Sequence, residues 1–151
     1  MSDLFNMYAF SSESVTNIWA GVGAELWAVP KMANASTRGK AVKVPVPSFG
    51  ILYSSSDHSL TVPFVILTEP DRERIENEVW HGPWALPFRI KPLGTPRKML
   101  QAQEAKKIIP SFSRLQTDNF GKVFRVGGAY TFNRCDATSA DWAVLIDRLA
   151  T

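Results

Sequence analysis

Two tryptophans that flank a short turn are the residues of this sequence best suited to hold a flat ligand. Trp80 and Trp84 bracket His81-Gly82-Pro83, and neither a helix nor an ordinary strand would bury both rings across such a turn. Aromatic rings stack on nucleobases, and each stack stabilises a bound base by roughly 1–3 kcal/mol. Trp19 lies in a predicted helix and Trp27 in the strand that follows it. The pattern predicts an aromatic pocket, while packing in an ordinary core is the alternative and is favoured for Trp27.

Groups that could catalyse a reaction are few. The 151 residues include one cysteine and two histidines, and a nucleophile needs a base that a third group orients. Cys135 and His81 have no such partners in the sequence, and Gly21-Val22-Gly23 lacks the third glycine of a dinucleotide-binding turn. A single cysteine also excludes an internal disulfide and a Cys-rich zinc site. We therefore predict a protein that is not an enzyme, with no catalytic residues, no metal site and no cofactor.

Basic residues are concentrated in two stretches of a chain whose formal net charge is only +3. Residues 31–50 carry four Lys and Arg and no acid, and residues 89–125 carry nine Lys and Arg against two acids. Lysine and arginine gathered on one face attract the phosphates of a nucleic acid. The concentration predicts a polyanion-binding face, and a surface on which the charges mix after folding is the alternative.

Short strands separated by turns, with helices between the first two strands and at the chain end, predict an α+β fold. The predicted sheet is a small curved sheet or pseudo-barrel of five to six strands flanked by helices. The strands are predicted over 7–10, 26–29, 49–54, 60–68, 86–93 and 129–132. Helices are predicted from the serines at 11–14 to about Gly21 or Gly23, within 96–109, and after a Ser139 cap, where Trp142, Leu145, Ile146 and Leu149 form an amphipathic stripe.

The remaining segments are predicted to connect these elements. Residues 31–48 and 111–126 are predicted to be basic loops, the first of them mobile, and residues 69–80 a short helix or turn. Pro63 within a predicted strand indicates a sheet edge or a bulge. The length is that of one domain over 1–151. Neither a run of about 18 apolar residues nor an N-terminal signal is present, so we expect a cytoplasmic protein with no membrane contact.

Three parts of the sequence resemble a known family. They are Tyr8-Ala-Phe-Ser-Ser-Glu-Ser-Val-Thr-Asn17-Ile-Trp19 with Leu26-Trp27-Ala-Val-Pro30, Phe49-Gly-Ile-Leu-Tyr53 with Val62-Pro-Phe-Val-Ile-Leu-Thr-Glu-Pro70, and Trp80-His-Gly-Pro-Trp84-Ala-Leu-Pro-Phe-Arg89-Ile-Lys-Pro-Leu93. They resemble the EVE group of the PUA-like superfamily, which is related to YTH domains. The Lys-Gly-Asp turn common in that group before the third strand is absent, and Val46-Pro47-Ser48 stands in its place.

The resemblance implies a PUA-like pseudo-barrel that reads a modified base in nucleic acid by base flipping. DNA is favoured over RNA, and a restriction or defence system would take its cleavage from a nuclease or motor partner or from a fused domain. The implied base-binding pocket comprises Ser11, Ser12, Asn17, Trp19, Trp27, Tyr53, Trp80 and Trp84. The implied phosphate-binding residues are Arg38, Lys40, Lys43, Arg89, Arg97 and Lys98.

Other functions and roles stay open at this point. A small hydrolase of modified nucleosides would need a lysine and a glutamate in one pocket, for example Lys40 with Glu69. A protein-interaction module would use the tryptophan pair to dock a protein segment. Asn17 has a local capping role as its alternative, and Arg89 could pair with Glu69 instead of a phosphate.

Overall fold

The computed structural model describes residues 5–30, 35–126 and 130–151, and within them the chain forms a mixed α+β fold. The strands are β1 (Met7–Ser12), β2 (Leu26–Pro30), β3 (Ser48–Ser54), β4 (Ser59–Ile66), β5 (Ile75–Glu76), β6 (Trp84–Pro92) and β7 (Met99–Gln101). The helices are α1 (Val15–Ala24), α2 (Ala35–Ala41), α3 (Ala102–Ile108), α4 (Pro110–Arg114), α5 (Phe120–Phe124) and α6 (Ser139–Leu149). The predicted fold class is therefore confirmed.

Five strands form a strongly curled half-barrel in the order β1-β3-β4-β6-β2. β1 and β3 run parallel, and the other neighbouring pairs of this path are antiparallel. Along its second edge, β4 pairs first with β7 and then with β6. Between these two partners Val62 is an extra residue in the β3–β4 register, with a φ of 45°. The bulge predicted at Pro63 is confirmed, because Pro63 follows this extra residue in an interior strand rather than at an edge.

The curled sheet separates two hydrophobic clusters. Tyr8 and Phe10 of β1 belong to the cluster that packs with α1, β2 and β6, which we call the α1-side cluster. Met7 and Ala9, the alternate residues of the same strand, belong to the cluster that packs with α3 to α6, which we call the α6-side cluster. This division follows from the two-residue repeat of a strand, which sends neighbouring side chains to opposite faces.

Two segments predicted to be loops are partly helical. α2 lies within 31–48, and α4 and α5 lie within 111–126. Ala41, Phe112 and Phe124 are buried in the clusters, and burial of an apolar side of a short helix stabilises it more than local propensity does. The many basic residues of both segments make the apolar side of these short helices hard to recognise in the sequence. Residues 31–34 lie outside the described part of the chain.

Several predicted boundaries also shift. α1 continues past Gly21 and Gly23 to Ala24 and ends at Glu25, which has a left-handed φ of 52°. The cap of α6 is Thr138 rather than Ser139. Residues 69–80 contain the two-residue strand β5 and no helix. The strand predicted over 129–132 begins outside the described residues, and its described part, 130–132, forms a turn. None of the helices in the described ranges is long and apolar enough to cross a membrane.

Candidate functional site

A cavity of about 460 Å³ opens between β1, the start of α1 and β2. We call it the aromatic cavity, because two tryptophan rings form part of its wall. A volume of this size is typical of sites for small ligands. Its lining residues are Ala9, Phe10, Ser11, Ser12, Glu13, Asn17, Trp27, Ala28, Val29, Trp84 and Thr131.

Trp27 of β2 and Trp84 of β6 supply the two rings. Their centroids lie 6.5 Å apart, and the ring planes meet at 65°. Trp80 lies behind them, 4.9 Å from Trp84 and 5.5 Å from Trp27 between centroids. Its Nε1–H donates to the carbonyl of Asn17 at 2.8 Å. Trp80 therefore ties the wall to α1 and does not itself line the cavity.

The expectation that the turn between Trp80 and Trp84 could not bury both rings is wrong. Trp80 is 3% exposed and Trp84 is 9% exposed, and both belong to the α1-side cluster together with Trp27. Burial is achieved because β6 begins at Trp84 while Trp80 packs back against α1. The three rings form one cluster, and of them Trp27 and Trp84 line the cavity. Trp27 is 1% exposed, so the core packing favoured for it is confirmed.

The hydrogen bonds of Glu76 position the segment that carries Trp80. Glu76 of β5 lies opposite Trp84 in the ladder with β6. Its carboxylate accepts from the N–H groups of Glu78 and Val79 and is ion-paired with Arg74. These bonds, chiefly the one from Glu78, hold the pKa of Glu76 below its ordinary value. The buried carboxylate thus stays ionised at neutral pH and fixes the turn that leads to Trp80.

The β2–β6 ladder is irregular beside the cavity. Trp27 pairs with Phe88 and Val29 with Ala85, so Ala28 alone faces two residues of β6. One of those two, Leu86, has a φ of 56°, a backbone conformation that is uncommon outside glycine. A bulge re-aims the side chains around it. Here it lies beside Trp27, Ala28 and Val29, which all line the cavity.

Gly21 lets α1 approach Trp27 closely. A Cβ atom at Gly21 would lie 2.8 Å from Cε3 of Trp27 and 2.9 Å from the carbonyl oxygen of Leu26. Both distances are shorter than van der Waals contact, so a larger residue must displace the helix or the ring. The glycine therefore serves packing, and the prediction that it marks the end of the helix is wrong.

Gly21→Ala is expected to lower the free energy of unfolding by about 1–2 kcal/mol, because overfilling a packed site strains its neighbours. Gly23→Ala is the matched control in the same helix, since a Cβ there meets no atom within 4 Å. It should be neutral or stabilising by up to about 1 kcal/mol. Urea unfolding followed by tryptophan fluorescence measures both, and equal stabilities for the two variants would contradict the close packing.

Polar groups of β1 and α1 surround the rings. The side-chain amide of Asn17 and the hydroxyl of Ser11 line the cavity and make no hydrogen bond to the described residues. The hydroxyl of Ser12 is instead held in a local turn, donating to the carbonyl of Ser14 at 3.0 Å. The cap of α1 is Ser14, which accepts from the N–H of Asn17. The Asn17 amide is therefore available to a ligand, and local capping falls to Ser14.

A second cavity, of about 520 Å³, is lined in part by chain neighbours of residues that line the first. Tyr8 and Phe132 line it, whereas their chain neighbours Ala9 and Thr131 line the aromatic cavity. Four cationic side chains give it positive charge, so we call it the basic cavity. Its lining residues are Tyr8, Lys40, Lys43, Arg125, Phe132, Asn133, Arg134, Cys135 and Asp136.

The acidic residue of the basic cavity does not cancel this charge. Asp136 is ion-paired at 2.9 Å with Arg114, a residue that does not line the cavity. Burial raises the pKa of Tyr8 against the lowering effect of the Arg134 charge, so its phenol stays protonated and can donate. Cations and a phenol O–H are the donors that nucleic-acid phosphates accept from.

Several predicted site residues lie elsewhere. Trp19 is 42% exposed and lines neither cavity. Tyr53 packs against Phe120, with ring centroids 5.2 Å apart, beside the α6-side cluster. The sheet thus separates Tyr53 from Trp27 and Trp84, because its position in β3 directs its ring to the other face.

The predicted phosphate-binding residues also divide. Lys40 and Lys43 line the basic cavity, whereas the guanidinium of Arg38 donates to the carbonyl of Arg72 at 2.8 Å. Lys98 donates through Nζ to the carbonyl of Ala150, just after α6. The four predicted residues that line neither cavity are Arg38, Arg89, Arg97 and Lys98, of which Arg89, Arg97 and Lys98 are exposed.

Glu13, Arg125 and Arg134 line the cavities without having been predicted as site residues. The sequence places Glu13 only at the start of a helix and Arg125 only in a basic stretch. Arg134 is brought to β1 by an isolated bridge between its backbone and that of Tyr8. Nothing in the local sequence of Arg134 indicates this contact between distant parts of the chain.

The candidate catalytic groups do not converge. Cys135 is buried, its Sγ–H donates to the carbonyl of Phe124 at 3.0 Å, and burial raises the pKa of its thiol. Since the thiolate is the nucleophile, this cysteine is poorly suited to attack. Glu69 is exposed and does not line the cavity that contains Lys40. In the described ranges no group of three or more His, Cys, Asp and Glu is arranged to hold a metal ion.

Comparison with known proteins identifies the fold. No family model matches the sequence, and no curated protein matches it. Among solved structures, the YTH domain-containing protein mmi1 in complex with RNA has a TM-score of 0.53 at 11% identity, over 75% of this chain and 71% of that chain. The Pho92 YTH domain in complex with m6A has a TM-score of 0.53 at 10% identity, over the same shares.

A third solved structure is the Toxoplasma CPSF4 YTH domain in complex with an m6A-modified RNA. Its TM-score is 0.50 at 13% identity, over 69% of each chain. At these identities the likeness concerns the fold. The chain therefore shares the fold of YTH domains, the relatives of the EVE group that the sequence resembles.

Proposed function

We propose that the protein is a nucleic-acid reader that holds one modified base in the aromatic cavity and the adjoining phosphates in the basic cavity. The observation that carries the proposal is that β1 and residues 131–136 contribute lining residues to both cavities, one of which contains Trp27 and Trp84 and the other lysine and arginine. A nucleotide has the same two parts, a flat apolar base and an anionic phosphate.

The aromatic cavity has the chemistry to receive a base removed from its stack. Stacking on tryptophan offsets part of the few kcal/mol that extrusion of a base costs. Asn17 offers both a donor and an acceptor to a base edge, as asparagine does with adenine. Ser11 adds a hydroxyl at the exposed end of the cavity. A methyl group on the base would add apolar contact with the rings, which supports a modified rather than an ordinary base.

The proposal also covers which nucleic acid is bound and which partners act with the protein. The solved YTH domains that share this fold are complexes with RNA or m6A. They support RNA as the bound polymer, alongside the DNA that the sequence resemblance favours. Membership of the EVE group, a restriction or defence role, and a nuclease or motor partner are further parts of the proposal that the resemblance alone supports.

The proposed activity is binding rather than catalysis. The hydrolase alternative needs Lys40 and Glu69 in one pocket, and they do not line the same cavity. Docking of a protein segment on the tryptophan pair would use the cavity walls alone and leave the lysines and arginines of the basic cavity without a role. Nucleic-acid binding uses both cavities.

The test is the affinity of the protein for short single-stranded oligonucleotides with one central adenine, either N6-methylated or unmodified, as RNA and as DNA. We expect the methylated oligonucleotide to bind more tightly, and binding to weaken steeply between about 50 mM and 200 mM salt. Absence of binding to every oligonucleotide at low salt would overturn the proposal.

A double variant tests the basic cavity. Lys43→Ala with Arg134→Ala should weaken binding at low salt about 10-fold or more and reduce the salt slope by about 0.7 for each phosphate that is no longer bound. Arg97→Ala with Lys107→Ala is the control that removes the same charge, because both side chains are exposed and line neither cavity. Equal decreases in affinity for the two double variants would mean that only net charge attracts the ligand and that the basic cavity has no special role.

A further inference from the structure

One residue of the aromatic cavity has a charge opposite to that of the neighbouring basic cavity. Glu13 is the charged residue among those that line the aromatic cavity in the described part of the chain. It lies between the end of β1 and the Ser14 cap of α1, and its carboxylate is exposed. It forms no ion pair or hydrogen bond with the described residues. A carboxylate in this place repels phosphate and accepts hydrogen bonds without donating any.

The surroundings of Glu13 match a cation better than a neutral ring. The faces of two tryptophans attract positive charge, and the attraction is greater for tryptophan than for other aromatic rings. Trp27 and Trp84 both line the cavity, and their ring planes meet at 65° rather than standing parallel, so a ligand in the cavity borders two indole groups set at different angles. A carboxylate and two tryptophans in the lining of one cavity are the composition of a site that binds organic cations.

We propose, on the basis of the proposed reader function, that the aromatic cavity selects bases methylated on a ring nitrogen of the Watson–Crick edge, which are cations at neutral pH. N1-methyladenine and 3-methylcytosine are the bases of this class. In each, the positive charge is shared between the methylated ring nitrogen and the exocyclic amino group. That amino group donates to Glu13, and the charged ring contacts Trp27 and Trp84.

The inability to form a base pair also favours bases methylated on the Watson–Crick edge. A methyl group on the Watson–Crick edge prevents pairing, and extrusion costs least for a base that is not paired. Bringing such a base into the cavity therefore costs less free energy than extracting N6-methyladenine, which still pairs. Asn17, whose amide also lines the cavity, can accept the second hydrogen of the amino group.

The experiment compares three oligonucleotides that differ only at the central base: adenine, N6-methyladenine and N1-methyladenine. Wild-type protein should bind the N1-methyladenine oligonucleotide about 10-fold more tightly than the N6-methyladenine one, the difference between a charge-assisted and a neutral hydrogen bond. A DNA arm with 3-methylcytosine against cytosine should give the same preference. Both polymers are measured at neutral pH and low salt.

Glu13→Gln removes the charge and keeps the shape. It should reduce the preference for the N1-methyladenine oligonucleotide over the N6-methyladenine one about 10-fold, because the loss of phosphate repulsion affects both oligonucleotides alike and cancels in this ratio. Glu73→Gln, which alters an exposed carboxylate outside both cavities, is the control for net charge and should change neither affinity by more than about 2-fold.

The outcomes separate this inference from the function on which it rests. If the N6-methyladenine oligonucleotide binds as tightly as the N1-methyladenine one, or if Glu13→Gln keeps the preference, selection of a cationic base is wrong while the reader function stands. If none of the oligonucleotides binds, both proposals are wrong. A preference for N1-methyladenine that disappears in Glu13→Gln and persists in Glu73→Gln supports the inference.

Discussion

Replacement of Trp84 with alanine is expected to weaken binding of a methylated oligonucleotide by about 1–3 kcal/mol, which is roughly 5- to 150-fold in Kd. The reason is that the variant removes one of the two rings that wall the aromatic cavity. Fluorescence anisotropy of a labelled oligonucleotide measures the change. Trp19→Ala is the matched control, because Trp19 is 42% exposed and lines neither cavity, and its Kd should stay within about 2-fold of wild type.

Trp84 also packs in the α1-side cluster, so a second pair of variants separates binding from folding. Trp84→Phe and Trp84→Leu both keep apolar volume in the cluster, but only phenylalanine keeps an aromatic face. Their stabilities should be similar, and Trp84→Phe should bind several-fold more tightly than Trp84→Leu. If the two bind equally while both remain folded in urea titrations, the ring at this position does not stack on the base.

Asp141→Ala is expected to lower the free energy of unfolding by about 3–4 kcal/mol. Asp141 is 0% exposed. Its carboxylate accepts from the N–H of Ser111 at 2.9 Å, from the N–H of Thr138 at 2.7 Å and from the Ser111 hydroxyl. Alanine would leave the two Ser111 donors buried without this acceptor and the Thr138 N–H partly buried without it, and each buried unpaired donor costs about 1–3 kcal/mol. The carboxylate therefore holds α4 to the start of α6.

Asp147→Ala on the same helix is the control for the effect at Asp141. Asp147 is exposed, and its replacement should change the stability by less than about 0.5 kcal/mol. Urea unfolding with an unchanged m value measures both variants. If Asp141→Ala is as stable as Asp147→Ala, the three hydrogen bonds make no net contribution to the free energy of unfolding.

Because α4 and α6 pack with the α6-side cluster, the folded fraction of Asp141→Ala should have the same affinity for an oligonucleotide as the wild type.

Local sequence predicts those lining residues of the candidate site that come from one strand–helix–strand unit. Ser11, Asn17 and Trp27 come from β1, α1 and β2, which follow one another directly, and all three line the aromatic cavity. The patterns of a short apolar strand, a serine cap and a second apolar strand are enough to place them. The α+β class and the curled sheet follow from the same short elements.

Faces of buried strands are harder to predict. β3 is apolar on both sides, because Ile51 contacts the α6-side cluster and Leu52 the α1-side cluster. No polar alternation therefore indicates which way Tyr53 points, and the extra residue at Val62 shifts the register of its partner strand. The prediction puts the Tyr53 ring on the pocket side, and the ring lies on the other. Sequence alone also could not foresee that Trp80 would support the wall from behind.

Contacts between distant segments are the least predictable part. The side chains of Arg134 and Asn6 meet at 3.4 Å although the two residues are 128 positions apart in the chain. The N–H of Cys135 donates to the carbonyl of Met7, and the N–H of Phe5 donates to the carbonyl of Ala137. These bonds bring Arg134 to the basic cavity, and no local pattern of charge or hydrophobicity around residue 134 predicts them.

The backbone hydrogen bonds that join Cys135 to Met7 and Ala137 to Phe5 determine when in biosynthesis the two cavities are complete. During translation, the tryptophan cluster can form once β6 has left the ribosome. Thr131 and Arg134, which complete the two cavities, are added only after all seven strands have been made. A nascent chain that ends at α5 therefore contains Trp27, Trp80 and Trp84 but lacks part of the lining of both cavities, and the proposed binding of nucleic acid waits for the closing segment to join the first strand.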